Sequence, residues 1–150
     1  MIHYLKYHGQ QQIGTFLGDW QGTILKEEGL DECIDMVVPV PLHKRKLRQR
    51  GYNQVAQYAQ RLAWHLNATY TEQVLQKTAN TKTQTKKGRW ARWHDDRKLY
   101  ILREPDLIAH KNVLLVDDVI TTGATMEICA RALQEAPGTR IYLTSMAVVP

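Results

Sequence analysis

The chain has 150 residues, 43% hydrophobic and 23% charged, with a formal net charge of +5, a length that encloses one core and is short for two, so a single domain over 1–150 is expected. No run approaches the roughly 20 apolar residues of a membrane span, and the opening Met1-Ile2-His3-Tyr4-Leu5-Lys6 has no sustained apolar stretch, which predicts a cytoplasmic protein without a membrane span. Cys33 and Cys129 lie far apart outside any CxxC spacing, and the six His show no ligand spacing, so neither a disulfide framework nor a protein-held metal is expected.

Along the chain, Ile13, Phe16, Leu17, Trp20 and Ile24 recur at helical spacing and predict a helix that ends near Gly29. Ile34 to Val40 is short and β-branched, as a buried strand should be, with Pro39 and Pro41 ending its ladder pairing. That strand delivers the chain to a basic loop. Asn53 is the expected N-cap of a second helix, with Val55, Ala59, Leu62 and Leu66 on one face and an end near Asn67. A weak strand around Tyr70 to Leu75 follows. The stretch Lys77 to Asp96 is polar and basic, with Trp90 and Trp93 but no apolar period, and irregular segments of that length are uncommon unless functional. Leu99 to Leu102 reads as a strand, Asn112 to Val116 as a central strand covered on both faces, Thr122 to Ala136 as a helix stopped by Pro137-Gly138, and Arg140 to Val148 as the last strand. The alternation defines an α/β domain with a mostly parallel sheet flanked by helices.

The positive charge is clustered. His43 to Arg50 holds five Lys or Arg without an acid, and Lys77 to Lys98 holds eight more against Asp95 and Asp96. Such clusters suit a polyanion, either pyrophosphate or nucleic acid.

In open α/β sheets, ligands bind beyond the carboxyl ends of the strands. Asp117-Asp118 and the loop after them fall at such an end. The loop Ile120 to Thr125 opens a helix, so its backbone N–H groups can face a phosphate while Thr121, Thr122 and Thr125 add hydroxyls and Gly123 allows close approach. The lysine of a Walker-type loop is missing, which argues against nucleoside triphosphate hydrolysis. Two adjacent carboxylates repel unless a ligand or cation compensates, and vicinal ribose hydroxyls together with ligand-borne magnesium supply both. A phosphorylation receiver domain also places an acidic pair after a hydrophobic strand, but on its first strand, whereas this pair is near the carboxyl-terminal quarter.

The segment VLLVDDVITTGAT, Val113 to Thr125, resembles the 5-phosphoribosyl-1-pyrophosphate (PRPP) signature of type I phosphoribosyltransferases. PVPLHKRKLRQRGYNQ, Pro39 to Gln54, resembles the signature of the ComF/GntX-like competence proteins, with further agreement at Lys6-Tyr7-His8-Gly9, Thr81, Gln84 and Arg92. The resemblance implies a type I phosphoribosyltransferase-like fold with a flexible hood loop, here Lys77 to Asp96. It implies that Asp117 and Asp118 are the catalytic acids on the ribose hydroxyls. Thr121, Thr122, Gly123, Ala124 and Thr125 would hold the 5-phosphate, and Arg45, Arg48 and Arg50 would meet the pyrophosphate. Magnesium would arrive with PRPP, or with a related phosphorylated sugar. The family's N-terminal cysteine-rich zinc module has no counterpart here, and Asp95 stands where Asn is common. Three readings stay open: an enzyme transferring phosphoribosyl to an unidentified acceptor with release of pyrophosphate, a DNA-uptake factor that binds single-stranded DNA through 43–50 and 77–98, and a structural module. A homodimer stays open as well.

Overall fold

The computed structural model describes residues 11–78 and 99–149. In chain order these form α1 (Gln11–Glu27), β1 (Met36–Pro39), α2 (Lys44–Arg50), α3 (Ala56–His65), β2 (Thr69–Tyr70), β3 (Leu75–Lys77), β4 (Tyr100–Leu102), α4 (Pro105–Ile108), β5 (Asn112–Ile120), α5 (Ala124–Leu133) and β6 (Arg140–Val148), with one 3₁₀ turn at Leu30–Glu32. The main sheet has the order β2-β1-β5-β6 and is parallel throughout. β3 and β4 make a separate antiparallel ribbon. Lys77 and Thr78 belong to the described residues, whereas the rest of the expected hood, 79–96, lies outside them.

Two-residue periodicity divides the core. Met36, Val38, Val113 and Leu115 face α5 and the β3–β4 ribbon, packing with Met126, Cys129, Leu133, Val74 and Tyr100. Val37, Leu114 and Val116 face α3, packing with Tyr58, Ala59, Leu62 and Leu66. These central residues are almost fully buried, which is why β1 and the start of β5 read as continuous apolar runs.

Several local expectations change. Pro39 stays in the ladder opposite Val116, because in this parallel strand the alternate residue Val40 donates to the Val116 carbonyl (2.8 Å) while Pro39, which has no N–H, faces the side where β2 has already ended. The expected strand from Tyr70 to Leu75 is two strands. Tyr70 pairs with Val37 in the main sheet, exposed Glu72 and Gln73 turn the chain, and buried Leu75 starts the ribbon. Asn53 lies two residues before the N-cap of α3, Val55, whose N–H its side chain accepts (3.3 Å), while its amide donates to the Val40 carbonyl (3.1 Å).

The face of α1 also differs from its apolar pattern. Phe16, Trp20 and Ile24 are exposed, and the helix turns Gly14, Gly18 and Gly22 onto α3 instead. A Cβ at Gly18 would sit 2.6 Å from Arg61 Cβ and 2.8 Å from the Tyr58 carbonyl oxygen. The three glycines therefore set the separation of the helices. Across this contact, Asp19 Oδ1 receives Arg61 Nε at 2.5 Å and lies 3.0 Å from His65 Nε2. Partial burial raises the proton affinity of Asp19, but the hydrogen bonds and charges of Arg61 and His65 outweigh it and hold the carboxyl below its ordinary value.

Candidate functional site

β5 continues beyond Val116 to Ile120, so both acids lie within the strand, with Asp117 paired opposite Ser145. Alternation sends them to opposite faces of the sheet. Asp118 is 6% exposed on the α3 side, where its Oδ2 accepts Gln54 Nε2 (3.0 Å) and its Oδ1 accepts the Val119 N–H (2.8 Å). Asp117 is half-buried on the α5 side, and its Oδ1 accepts the Asp118 N–H (2.8 Å). The expected clash of two carboxylates sharing one site is thus relieved by strand geometry and by these donors.

The field of Asp117 reaches three neighbours. Burial, and then Asp117, pushes the Cys129 thiol up, so this cysteine is an inert core residue. Burial, and then Cys129 and Asp117, raises the Tyr100 phenol. Burial lowers the Lys77 amine and nearby Lys46 lowers it further, with Cys129 and Asp117 acting in the opposite sense. Lys77 also lies over the Tyr100 ring, 5.1 Å from its centroid. Lys77 is thus a half-buried amine within electrostatic reach of both Lys46 and Asp117, although the sequence marked it only as the start of a hood.

Asp117 lines one cradle with Val119, Ile120 and all of Thr121 to Met126. Thr121, Thr122, Ala124 and Thr125 are exposed, and Gly123 at φ 78° starts α5. The Thr122 hydroxyl accepts the Ala124 N–H at 3.4 Å, and the Glu127 N–H bonds to the Gly123 carbonyl (2.9 Å). The first N–H groups of a helix have no acceptor within it, and the first three residues of α5 line the cradle. Gly123 is required for its left-handed backbone; the space around its Cα is open, with no atom within 4 Å of an added Cβ.

The basic segment is a helix rather than a loop. KRKLRQR consists of straight-chain residues that favour helix; His43 caps it by accepting the Arg45 N–H on Nδ1 (3.2 Å), and Gly51 at φ 78° ends it. Arg45 and Arg48 are exposed and line an open cavity with His43, Lys44 and Gln49, apart from the threonine cradle. Arg50 is connected to the acids: its Nη1 donates to Gln54 Oε1, and Gln54 Nε2 donates to Asp118. Gln54 is 9% exposed and was missed as a functional residue, although an amide followed at once by an apolar helix is a readable sign of a buried polar group. Among the described residues, no group of three His, Cys, Asp or Glu is arranged to hold a metal ion.

The architecture is that of a type I phosphoribosyltransferase. The structure of the allosteric regulatory enzyme of purine biosynthesis superposes with a TM-score of 0.59 at 19% identity, covering 89% of this chain and 25% of that one. Adenine phosphoribosyltransferase from Saccharomyces cerevisiae, complexed with an imino-altritol bisphosphate and adenine, gives 0.54 at 16% identity, covering 89% and 66%. The chain is ComF-like. It is 30% identical over 119 residues to competence protein F of Haemophilus influenzae, covering 75% of this chain and 50% of that protein. It is 28% identical to the DNA utilization protein YhgH of Escherichia coli K12 (89% and 59%) and 29% identical to competence protein ComFC of Bacillus subtilis (87% and 50%). The chain thus spans half to three-fifths of the length of these relatives. No protein-family model matches it. Among the described residues, no helix is long and apolar enough to cross a membrane.

Proposed function

We propose that the domain binds magnesium-complexed PRPP, or a closely related phosphorylated sugar, and transfers its phosphoribosyl group to an unidentified acceptor. The observation that carries this reading is the single cradle that joins Asp117 to Thr121–Thr125 at the N-terminus of α5. The 5-phosphate lies on the backbone N–H groups and threonine hydroxyls, and the ribose hydroxyls donate to Asp117 in the cradle, with Asp118 on the opposite face supporting it through the N–H that Asp117 Oδ1 accepts. Arg50, Lys77 and the exposed Arg45 and Arg48 face the pyrophosphate. In the transfer, the bond from the anomeric carbon to pyrophosphate breaks as a bond from the acceptor forms, and the acceptor's proton leaves to solvent or to a base. The basic side chains stabilise the charge that develops on the departing pyrophosphate. Calorimetric titration with PRPP, with and without magnesium, followed by a pyrophosphate-release assay across candidate acceptors, tests the reading. Absence of PRPP binding in the presence of magnesium would overturn it.

A second reading is favoured by the exposed cationic face of α2 and by relatives whose names concern competence and DNA utilization: a DNA-uptake factor in which the domain binds single-stranded DNA. Binding of this kind weakens with salt, with a slope of about −0.7 per phosphate neutralised on a single strand. Replacing Lys44, Arg45 and Arg48 with Ala should flatten that slope in fluorescence anisotropy titrations. PRPP binding without pyrophosphate release, together with salt-dependent DNA binding, would favour this reading over transfer.

A further inference from the structure

The basic helix and the acid pair serve opposite ends of the proposed ligand, yet they are joined through the protein by one buried amide. Gln54 receives a hydrogen bond from Arg50 Nη1 on Oε1 and gives one from Nε2 to Asp118 Oδ2 at 3.0 Å. A guanidinium only donates and an ionised carboxylate only accepts, so the bridging group must accept at one end and donate at the other, and a side-chain amide does both. The two partners also fix which end of the amide is oxygen. A direct Arg–Asp ion pair would commit each charge to the other, whereas the amide spacer links the two across its own length. Gln54 is 9% exposed, so an amide displaced from either partner has little access to water in exchange. Its backbone is fixed by Asn53, whose side chain holds the Val40 carbonyl on β1 and the Val55 N–H.

We infer that Gln54 is a positioning residue that couples the pyrophosphate end of the site, through Arg50, to the ribose end, through Asp118. This rests on the PRPP reading above. Arg50 at the anion end and Asp118 behind Asp117 are thereby held in one register by the same amide.

The test is calorimetric titration of the full chain with magnesium–PRPP. Gln54→Met keeps the length and removes both hydrogen bonds, and should weaken binding about tenfold, the scale of one charge-assisted bond. Gln54→Glu should weaken it further, because it sets a second carboxylate against Asp118. The decisive readout is the Arg50→Met and Asp118→Asn double-mutant cycle. With Gln54 present, the double variant should lose less affinity than the product of the single losses. In the Gln54→Met background the two losses should multiply, within about twofold. Should Gln54→Met not fold, Gln54→Asn retains the amide one methylene short of Asp118 and should show the same loss of coupling. Wild-type affinity in the Gln54 variants, or multiplicative losses with Gln54 present, would overturn the inference while leaving the PRPP reading intact. A wild-type chain that does not bind PRPP would overturn that reading and this inference with it.

Discussion

Because Asp117 and Asp118 point to opposite faces, replacing each with Ala should produce two different phenotypes. Asp118→Ala removes the acceptor of Gln54 Nε2 in a site where Gln54 is 9% and Asp118 is 6% exposed. A buried donor left without its partner costs about 1–3 kcal/mol. For a domain of this size that corresponds to a fall in Tm of roughly 2–4 °C for each kcal/mol. Asp117→Ala removes a carboxylate that is half-buried rather than buried, so its stability cost should be the smaller of the two. On the ligand side the order differs. Asp117 lines the cradle directly, and losing a charge-assisted bond of about 1.5–3 kcal/mol should weaken magnesium–PRPP binding by roughly ten- to a hundredfold. Urea unfolding and calorimetric titration of the same preparations separate the two quantities. Equal destabilisation by both substitutions would refute the assignment of opposite faces, and unchanged PRPP affinity in Asp117→Ala would remove the acid from the site.

Three further outcomes follow from the geometry. Gly123→Ala should lose about 1–2 kcal/mol in urea unfolding, because φ 78° is costly for a residue with a Cβ even where nothing lies within 4 Å, and Gly123→Asn should lose less; equal stability of all three would refute the strain argument. Gly18→Ala should be destabilising by about 1–3 kcal/mol, despite the better helix propensity of alanine, since its Cβ would meet Arg61 Cβ and the Tyr58 backbone; a gain in the urea midpoint would contradict the close approach of α1 and α3. Asp19 is held below its ordinary value of 3.8, so its clamp contributes fully above that pH and is lost as pH falls through the lower folded value; Asp19→Asn should lower the urea midpoint at neutral pH and flatten its acid dependence below 3.8, and an unaltered acid limb would refute this role.

The sequence disclosed most where one physical requirement dominated. Asn112 to Val116 had to be a central strand because an apolar run of that length satisfies burial on both faces, and the threonine loop had to open a helix because small hydroxylated residues precede an apolar period. The last strand, Arg140–Val148, was likewise legible from end to end. Misreadings arose where two requirements competed. The run His43 to Arg50 was read as a loop because its charge suggested ligand contact, yet charge is compatible with a solvent-facing helix, and Gly51 was the stop signal. On α1, Leu17 packs against the core as its spacing implies, but Phe16, Trp20 and Ile24 face outward. Close packing needed the absence of side chains at Gly14, Gly18 and Gly22, a four-residue spacing that hydrophobicity alone does not register.

The acid pair shows most clearly what periodicity adds to a motif. Read as a string, Asp117-Asp118 is one negative feature that awaits one cation. Placed on a strand, adjacent residues must diverge, so each carboxylate has its own surroundings. Asp117 shares its face with the threonine cradle, Lys77 and Tyr100, whereas Asp118 shares its face with α3 and is reached through Gln54 from Arg50. A shift of one residue in the register of β5 against β6 would exchange these roles, bringing Asp118 to the cradle and Asp117 to the amide. The pairing of Asp117 with Ser145, continued by Val119 with Ala147, excludes that exchange. The division of the site into a directly lined acid and a tethered acid is therefore a consequence of sheet register, and the ligand geometry proposed for the domain depends on it.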